Sequence, residues 1–230
     1  MERAQAAYSG GVDKAVVAPP TRAEWVDSLL RRAIVHGELA PGEKLYAERL
    51  AEQWGVSATP LRETFQRLAG EGLVVIEPQR GARVAPVGVE QAAEIYEMRL
   101  LLDPVAIEQS VVAAVEAGDL GVFAADVRAA HRALEVKHRS VTALHDAHTR
   151  FHMALVARCP NQRMLAQIAQ LLEHSQRFQV VRVGGGVRVG DARAEHRQLC
   201  DAAAEGRATE AAAVLRSHLS ATLAAVCSAG

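Results

Sequence analysis

Aromatic residues make up only 4% of this 230-residue chain, and cysteine occurs three times. The thiols of Cys159, Cys200 and Cys227 are odd in number, far apart and in no CxxC pair. We therefore expect idle thiols in a reducing compartment rather than disulfides or a redox centre. No apolar run is long enough to cross a bilayer, and the N-terminus lacks the basic and apolar regions of a secretory signal. These absences predict a soluble, cytoplasmic protein with no membrane partner.

A strong net charge is also missing. The formal net charge is -1 and the pI is about 6.8. A global basic field for nucleic acid is therefore excluded, and any DNA contact has to come from a local patch. Half of the residues are hydrophobic, which is enough for the chain to bury a core in one or two domains.

The first structural signal is a capping box at Thr21 and Glu24. Residues 1–20 end in Pro19-Pro20 and have no periodicity, so we interpret them as a mobile tail. A first helix is predicted after the box, and Gly37 can end it. Its apolar face is predicted from four residues: Trp25, Leu29, Leu30 and Ile34.

Two further helices follow in quick succession. One is predicted over residues 47–54, where it buries Leu50, Ala51 and Trp54 and ends at Gly55. The next begins at Ser57 or Ala58 and runs to about Glu71, with Ser57 as N-cap. Pro60 fits its first turn, where a missing N–H has no cost. Its predicted buried residues are Leu61, Phe65 and Leu68.

A β-hairpin is predicted after the third helix. Residues 73–76 and 82–85 read as strands that flank a basic tip at residues 78–81. Three helices and a hairpin over residues 21–86 make a winged helix-turn-helix, whose third helix fits a DNA major groove. The alternative is a packing module in which Arg62 and Arg67 are merely solvated. Equal numbers of acidic and basic residues favour that alternative, whereas the order of elements favours DNA.

The remainder of the chain is predicted to be helical. After a linker at residues 87–90, residues 91–227 form an all-α bundle of six or seven helices, so the fold class is mainly α. Pro104 should kink or divide the first of them. A flexible loop is expected at Gly184-Gly185-Gly186 and Gly190. The further helices are predicted over residues 120–137, 140–157, 162–180, 191–205 and 209–227.

Histidines are the chemically informative residues of the bundle. His148 and His152 are four apart, so both project from one helical face and can converge on a metal ion. His196 and His218 lie on later helices whose apolar faces point inward. The alternative is that the pair is merely on the surface, because the chain uses histidine freely. Spacing alone leaves both interpretations open.

The segment ERLAEQWGVSATPLRETFQRLAGEGLVVIEPQRGARV, residues 48–84, resembles the DNA-binding domain of the GntR family of bacterial transcription regulators. The resemblance implies DNA-contacting places at Thr59, Arg62 and Gly81. It departs from the family at Ala58 and Glu48, where arginines are usual or occur in some members. With their neighbours, the predicted DNA-binding residues are Arg49, Ser57, Thr59, Arg62, Arg67, Arg80, Gly81 and Arg83.

The segments TRFHMALV, residues 149–156, and EHRQLCDAAAEGRATEAAAVLRSHL, residues 195–219, resemble the FCD ligand-binding domain of the FadR subfamily. The resemblance implies a divalent metal held by one aspartate and three histidines, matched here by His152, His196 and His218. His148 stands at the aspartate position. An all-nitrogen set suits a divalent transition metal, most of all zinc or nickel, and should attract a carboxylate effector. Asp146 points to another face and is not a predicted ligand.

Two further residues match family positions. Arg99 corresponds to an arginine that lines the effector pocket; it either pairs with an anionic effector or forms an ion pair with Asp103 one turn along. Asn161 follows Pro160 at a turn and is expected to be structural.

The leading prediction is therefore a ligand-responsive transcription regulator, a homodimer on a palindromic DNA operator. The alternatives are a metal-dependent hydrolase fused to a DNA-binding module and a direct metal sensor. No HExxH helix, nucleophile elbow or phosphate loop is present, so we expect no enzyme activity.

Overall fold

The computed structural model describes residues 21–182 and 189–228, of which residues 179–182 and 189–191 are described by their backbone alone. The predicted tail at residues 1–20 and the glycines at 184–186 lie outside the described residues. Gly190, predicted in the same loop, is instead part of a helix.

The N-terminal domain is the predicted winged helix-turn-helix. Its elements are α1 (Arg22–Val35), β1 (Lys44–Leu45), α2 (Ala47–Trp54), α3 (Ala58–Gly70), β2 (Val74–Glu77) and β3 (Gly81–Val84). The three strands form an antiparallel sheet in the order β1-β3-β2, with Ile76 opposite Ala82. The hairpin turn places Gln79 and Gly81 at positive φ, which glycine adopts without strain.

The capping box of α1 is present. The Thr21 hydroxyl accepts from the Glu24 backbone N–H, and the Glu24 carboxylate accepts from the Thr21 N–H at 2.7 Å. The predicted apolar face is partly wrong, because Val26, Leu30 and Ile34 are buried whereas Trp25 is 43% exposed. The buried stripe keeps the predicted Leu30 and Ile34 but takes in Val26 and Ala33 in place of Trp25.

The turn between α2 and α3 brings their apolar faces together. Gly55 ends α2 in the left-handed conformation. Its neighbour Trp54, predicted to be buried, is only partly so. Ser57 occupies the N-cap position of α3, but its side chain makes no capping hydrogen bond. The predicted residues Leu61, Phe65 and Leu68 form the buried face of α3 and pack against Leu50 and Ala51 of α2.

The C-terminal domain consists, over the described residues, of six helices around one core. They are α4 (Val89–Glu116), α5 (Leu120–Glu135), α6 (Val141–Val156), α7 (Gln162–Arg182), α8 (Val189–Ala204) and α9 (Ala208–Cys227). Phe123, Phe151, Leu155, Leu199 and Leu215 are among the buried side chains that fill it.

Pro104 does not divide α4, which runs unbroken through it. Proline lacks the N–H that would bond the carbonyl four residues earlier. That carbonyl belongs to Leu100, and it accepts instead from Arg216 Nη1 of α9 at 3.2 Å. The neighbouring helix thus supplies the missing donor, and the possibility of two separate helices is excluded.

The two domains are in contact through α1 and α7. Arg31 of α1 forms ion pairs with Glu71, which follows α3, and with Glu173 of α7 at 3.2 Å. Arg177 of α7 donates to the carbonyl of Ala85 at 2.5 Å, in the connection between β3 and α4. Within the described parts of the chain, no helix is long and apolar enough to cross a membrane.

Candidate metal centre and DNA-facing surface

Four histidines from three helices meet inside the bundle. His148 and His152 project from α6, His196 from α8 and His218 from α9, and their ligand nitrogens lie within 4.8 Å of one another. The Nε2 atoms of His148 and His152 are 3.1 Å apart. Nitrogens at about 2.0–2.1 Å from a tetrahedral zinc ion would be separated by about 3.3 Å, so this pair has the spacing of two ligands of one ion.

The protonation state of the cluster suits a metal. Burial lowers the pKa of His148 and His152 well below the usual value and lowers that of His196 to about 3, so these rings are neutral at pH 7. A neutral imidazole offers a lone pair, which a metal ligand requires. His196 Nε2 and His148 Nδ1 are buried without a hydrogen-bond partner in the structure. The four residues therefore fit a divalent transition metal.

A carboxylate that sequence reasoning missed supports one of these ligands. Glu195 Oε2 lies 2.7 Å from His218 Nδ1. A carboxylate bonded to Nδ1 leaves Nε2 as the nitrogen that can bind a metal. The site therefore includes a carboxylate beside its four imidazoles, whereas the sequence predicted neutral ligands alone. Glu195 directly precedes His196 in the sequence, which was the available signal, but only the fold shows that Glu195 faces α9.

Arg99 is 1% exposed and lies close enough to His148 and His152 for its charge to help lower their pKa values. Its Nε and Nη2 contact Asp103 Oδ2 at 2.9 and 2.8 Å, and Nη1 donates to Ser175 Oγ at 3.0 Å. The ion pair with Asp103, one of the two roles predicted for Arg99, is therefore present. Burial raises the pKa of the Asp103 carboxyl, which Arg99 partly offsets. Asp103 Oδ1 and the hydroxyl of Tyr96, whose ring faces Arg99, are buried without a partner in the described structure.

Asp146 and Asn161 are placed as the sequence indicated. Asp146 is exposed and its carboxylate lies 4.0 Å from Nε2 of His36, which directly follows α1, away from the four histidines. Asn161 precedes α7, and its Oδ1 accepts from the Met164 backbone N–H at 3.1 Å. It therefore caps a helix, which is a structural role.

Most of the predicted DNA-binding residues are exposed. Ser57 is exposed at the N-cap of α3, Thr59 and Arg62 in its N-terminal half, Arg80 and Gly81 at the hairpin tip and Arg49 on α2. Three of the arginines have partners within the domain, and Arg62 is one of them, since its Nη2 donates to Glu48 Oε1 of α2. Arg67 Nε donates to Asp27 at 2.8 Å, and Arg83 Nε donates to Glu77 at 3.0 Å. Their packing contacts were not visible in the sequence.

A winged helix-turn-helix with an exposed third helix, joined to a helical bundle with a buried polar site, is the architecture of a DNA-binding regulator. Comparison with known families agrees. Residues 22–84 match the model for bacterial regulatory proteins of the gntR family, and residues 94–221 match the FCD domain. The chain belongs to the GntR family and carries an FCD domain, which is consistent with the FadR subfamily. It is a transcription regulator rather than an enzyme.

Several relatives align over most of the chain. It is 24% identical to the transcriptional repressor GlaR of Escherichia coli K12 over 195 residues, which are 83% of this chain and 89% of GlaR. It is 28% identical to the regulator BphR of Paraburkholderia xenovorans LB400 over 207 residues, which are 86% of this chain and 82% of BphR. A GntR regulator from Rhodococcus sp. RHA1 shares the fold, with a TM-score of 0.70 at 24% identity over 92% of this chain and 100% of that structure.

Proposed function

We propose that this protein is a homodimeric regulator that binds a palindromic operator, and that a small carboxylate effector adjusts its DNA affinity from a site beside a bound metal. The convergence of four histidines next to buried Arg99 carries the proposal. His148, His152, His196 and His218 would hold zinc or nickel, and the ion would supply a positive Lewis-acid centre. Because its target is DNA, we assign its action to the cytoplasm.

Arg99 supports the carboxylate assignment. Its guanidinium is already oriented by Asp103 and Ser175, and a planar guanidinium matches a carboxylate. An effector carboxylate that replaced either partner would recover the hydrogen bonds it displaced. The unpartnered Asp103 Oδ1 and Tyr96 hydroxyl offer further hydrogen-bonding capacity to a ligand.

A route from this site to the DNA-binding domain runs along α7. Ser175 contacts Arg99, Glu173 pairs with Arg31 of α1, and Arg177 holds the carbonyl of Ala85. Consecutive helical residues point in different directions, so one short stretch reaches the effector arginine, the first helix and the interdomain connection. A ligand that binds two positions of α7 unequally would shift DNA affinity by that difference.

The exposed face of α4 supports the dimer. Met98, Leu101, Val105, Val112 and Val115 are exposed and recur at spacings of three, four and seven residues, and Leu101 is 66% exposed. This is the spacing of a helix-packing seam, and a second copy of the same chain presents the same seam. Two copies joined here would carry two winged helices, as a palindromic operator requires.

Leu101→Glu is expected to produce monomers, because a buried charge at the centre of an apolar seam has no partner. Light scattering coupled to size exclusion measures the change in mass, and operator affinity should fall by at least about 10-fold when the second half-site is lost. Val136→Glu, which adds the same charge at an exposed valine after α5, is the control and should remain dimeric. A dimeric Leu101→Glu protein would assign the interface to another face.

Glu195→Gln is expected to lower zinc affinity by about 10- to 100-fold while leaving all four ligands in place. Competition with a chelator of known affinity measures the change. The control is Glu205→Gln. Glu205 directly follows α8, the helix that carries Glu195, but it pairs with Arg207 away from the cluster. Equal affinities for the wild type and Glu195→Gln would show that the carboxylate does not support the metal site.

The function is tested by selection of bound fragments from a random DNA library with the purified full-length protein. We expect a two-fold symmetric consensus, whose affinity is then measured with and without zinc and with a panel of small mono- and dicarboxylates. Failure to enrich any sequence would contradict the regulator, and enrichment of an asymmetric single site would contradict the symmetric dimer.

The direct metal sensor is a second candidate, supported by the same four histidines. It predicts DNA affinity that follows zinc or nickel concentration with no organic ligand present. The hydrolase alternative is not supported, because the family is one of regulators and the candidate general base Asp146 faces His36.

A further inference from the structure

An ion pair joins the recognition helix to the preceding helix on the surface that faces DNA. Arg62 Nη2 of α3 donates to Glu48 Oε1 of α2. The two side chains are 62% and 68% exposed, so the pair stands in solvent. An exposed pair of this kind contributes little to stability, and its main consequence is for what the surface can bind.

The pair lines a groove between the recognition helix and the hairpin. The groove has a volume of about 440 Å³, and Tyr46, Gln66 and Arg80 line it together with Glu48 and Arg62. Arg62 and Gln66 are one helical turn apart on α3, on the face that also carries Thr59. Glu48 is therefore a negative charge within the surface that the winged helix-turn-helix presents to DNA.

A carboxylate at this place disfavours one kind of contact and favours another. It repels phosphate oxygens, so it weakens sequence-independent attraction to the backbone. In the major groove, by contrast, a glutamate can accept from the cytosine N4 amino group, while arginine donates two bonds to guanine O6 and N7. Charges of both signs held side by side thus match the two edges of a G·C pair.

We infer that Glu48 is a specificity-determining residue that makes the recognition helix select G·C at one position of each half-site. Its Oε1 occupies one N–H of Arg62 and holds the guanidinium at the groove, so the remaining N–H groups face a guanine. Its other oxygen, Oε2, accepts from a cytosine amino group. This inference rests on the proposed DNA binding and adds to it the identity of a base pair that the protein reads.

The test uses the full-length protein and the sequence enriched from the random library. Each position of one half-site is replaced in turn, and affinities are measured for the wild type, Glu48→Gln, Glu48→Ala and the control Glu52→Gln. Glu52 is exposed and lies one turn further along α2, so Glu52→Gln removes the same charge from the same helix. Salt titrations on non-specific DNA accompany each variant.

We expect the wild type and Glu52→Gln to discriminate about 10-fold or more against the other base pairs at one G·C position. Both Glu48 variants should lose that discrimination at this position alone. They should also bind non-specific DNA more tightly, with a salt dependence steeper by about one phosphate contact, because Arg62 is released.

Three results would overturn the inference. Unchanged base preferences in both Glu48 variants would show that the pair has no part in reading sequence. A uniform change at every position would show that Glu48 acts only through its charge. A wild-type consensus without a G·C position sensitive to Glu48 would contradict the base assignment. If the wild type enriches no sequence, it is the proposed function that fails, and the two failures are therefore distinct.

Discussion

Purified His152→Ala protein is expected to contain almost no zinc or nickel under conditions that leave about one ion on each wild-type chain. His152 is buried and lies between His148, 3.1 Å away, and His218, whose ring stacks against it. Loss of a supporting residue alone costs about 10- to 100-fold in metal affinity, so loss of this ligand should cost more than about 100-fold. Elemental analysis after identical purification measures it.

The matched control is His138→Ala. His138 contacts the carbonyl of Leu134 and lies outside the cluster, so its removal should leave the metal content unchanged. Thermal melting gives a second measurement: zinc should raise the melting temperature of the wild type and of His138→Ala but not of His152→Ala, since a ligand stabilises only the state that binds it. A wild type that takes up no metal from zinc or nickel solutions would disprove the metal proposal.

Arg62→Ala is expected to weaken specific DNA binding by about 10- to 100-fold and to affect non-specific binding much less. The reason is that Arg62 is exposed on the recognition helix and is held at the groove by Glu48. There the parallel N–H donors of its guanidinium can bond to the edge of a base. Binding to the enriched sequence and to unrelated DNA of equal length, at one salt concentration, provides the comparison.

Arg67→Ala separates a DNA role from a general loss of charge on the same helix. Arg67 bonds to Asp27 and Thr64, so its removal should chiefly lower the free energy of unfolding. Equal losses of specific affinity in the two variants would contradict the special role of Arg62.

Local chemistry made much of the N-terminal domain predictable. Thr21 and Glu24 define the start of α1, and Gly55 permits the left-handed conformation that ends α2; each acts within a few residues. The error at Trp25 has a physical cause. Several apolar residues near the helix start allow more than one stripe, and only packing decides which one is buried.

The site was predictable to a different degree. The spacing of His148 and His152 places two rings on one face, whereas their meeting with His196 and His218 was expected only through the family resemblance. Three contacts join residues of different helices that are at least 14 positions apart in the sequence: Glu195 with His218, Arg216 with the carbonyl of Leu100, and Glu48 with Arg62. Such pairs depend on how helices dock, which periodicity within one helix does not contain.

The stretch of α7 from residue 173 to 177 also bears on how this protein can be re-engineered. A chimera joined at residues 85–88 would receive a new DNA-binding domain but keep Glu173 and Arg177, whose partners Arg31 and the Ala85 carbonyl belong to the replaced part or to the junction. The unit to exchange is therefore discontinuous in sequence. A transplanted DNA-binding domain should respond to ligand binding in the bundle only when the residues of α7 that face it are transferred with it.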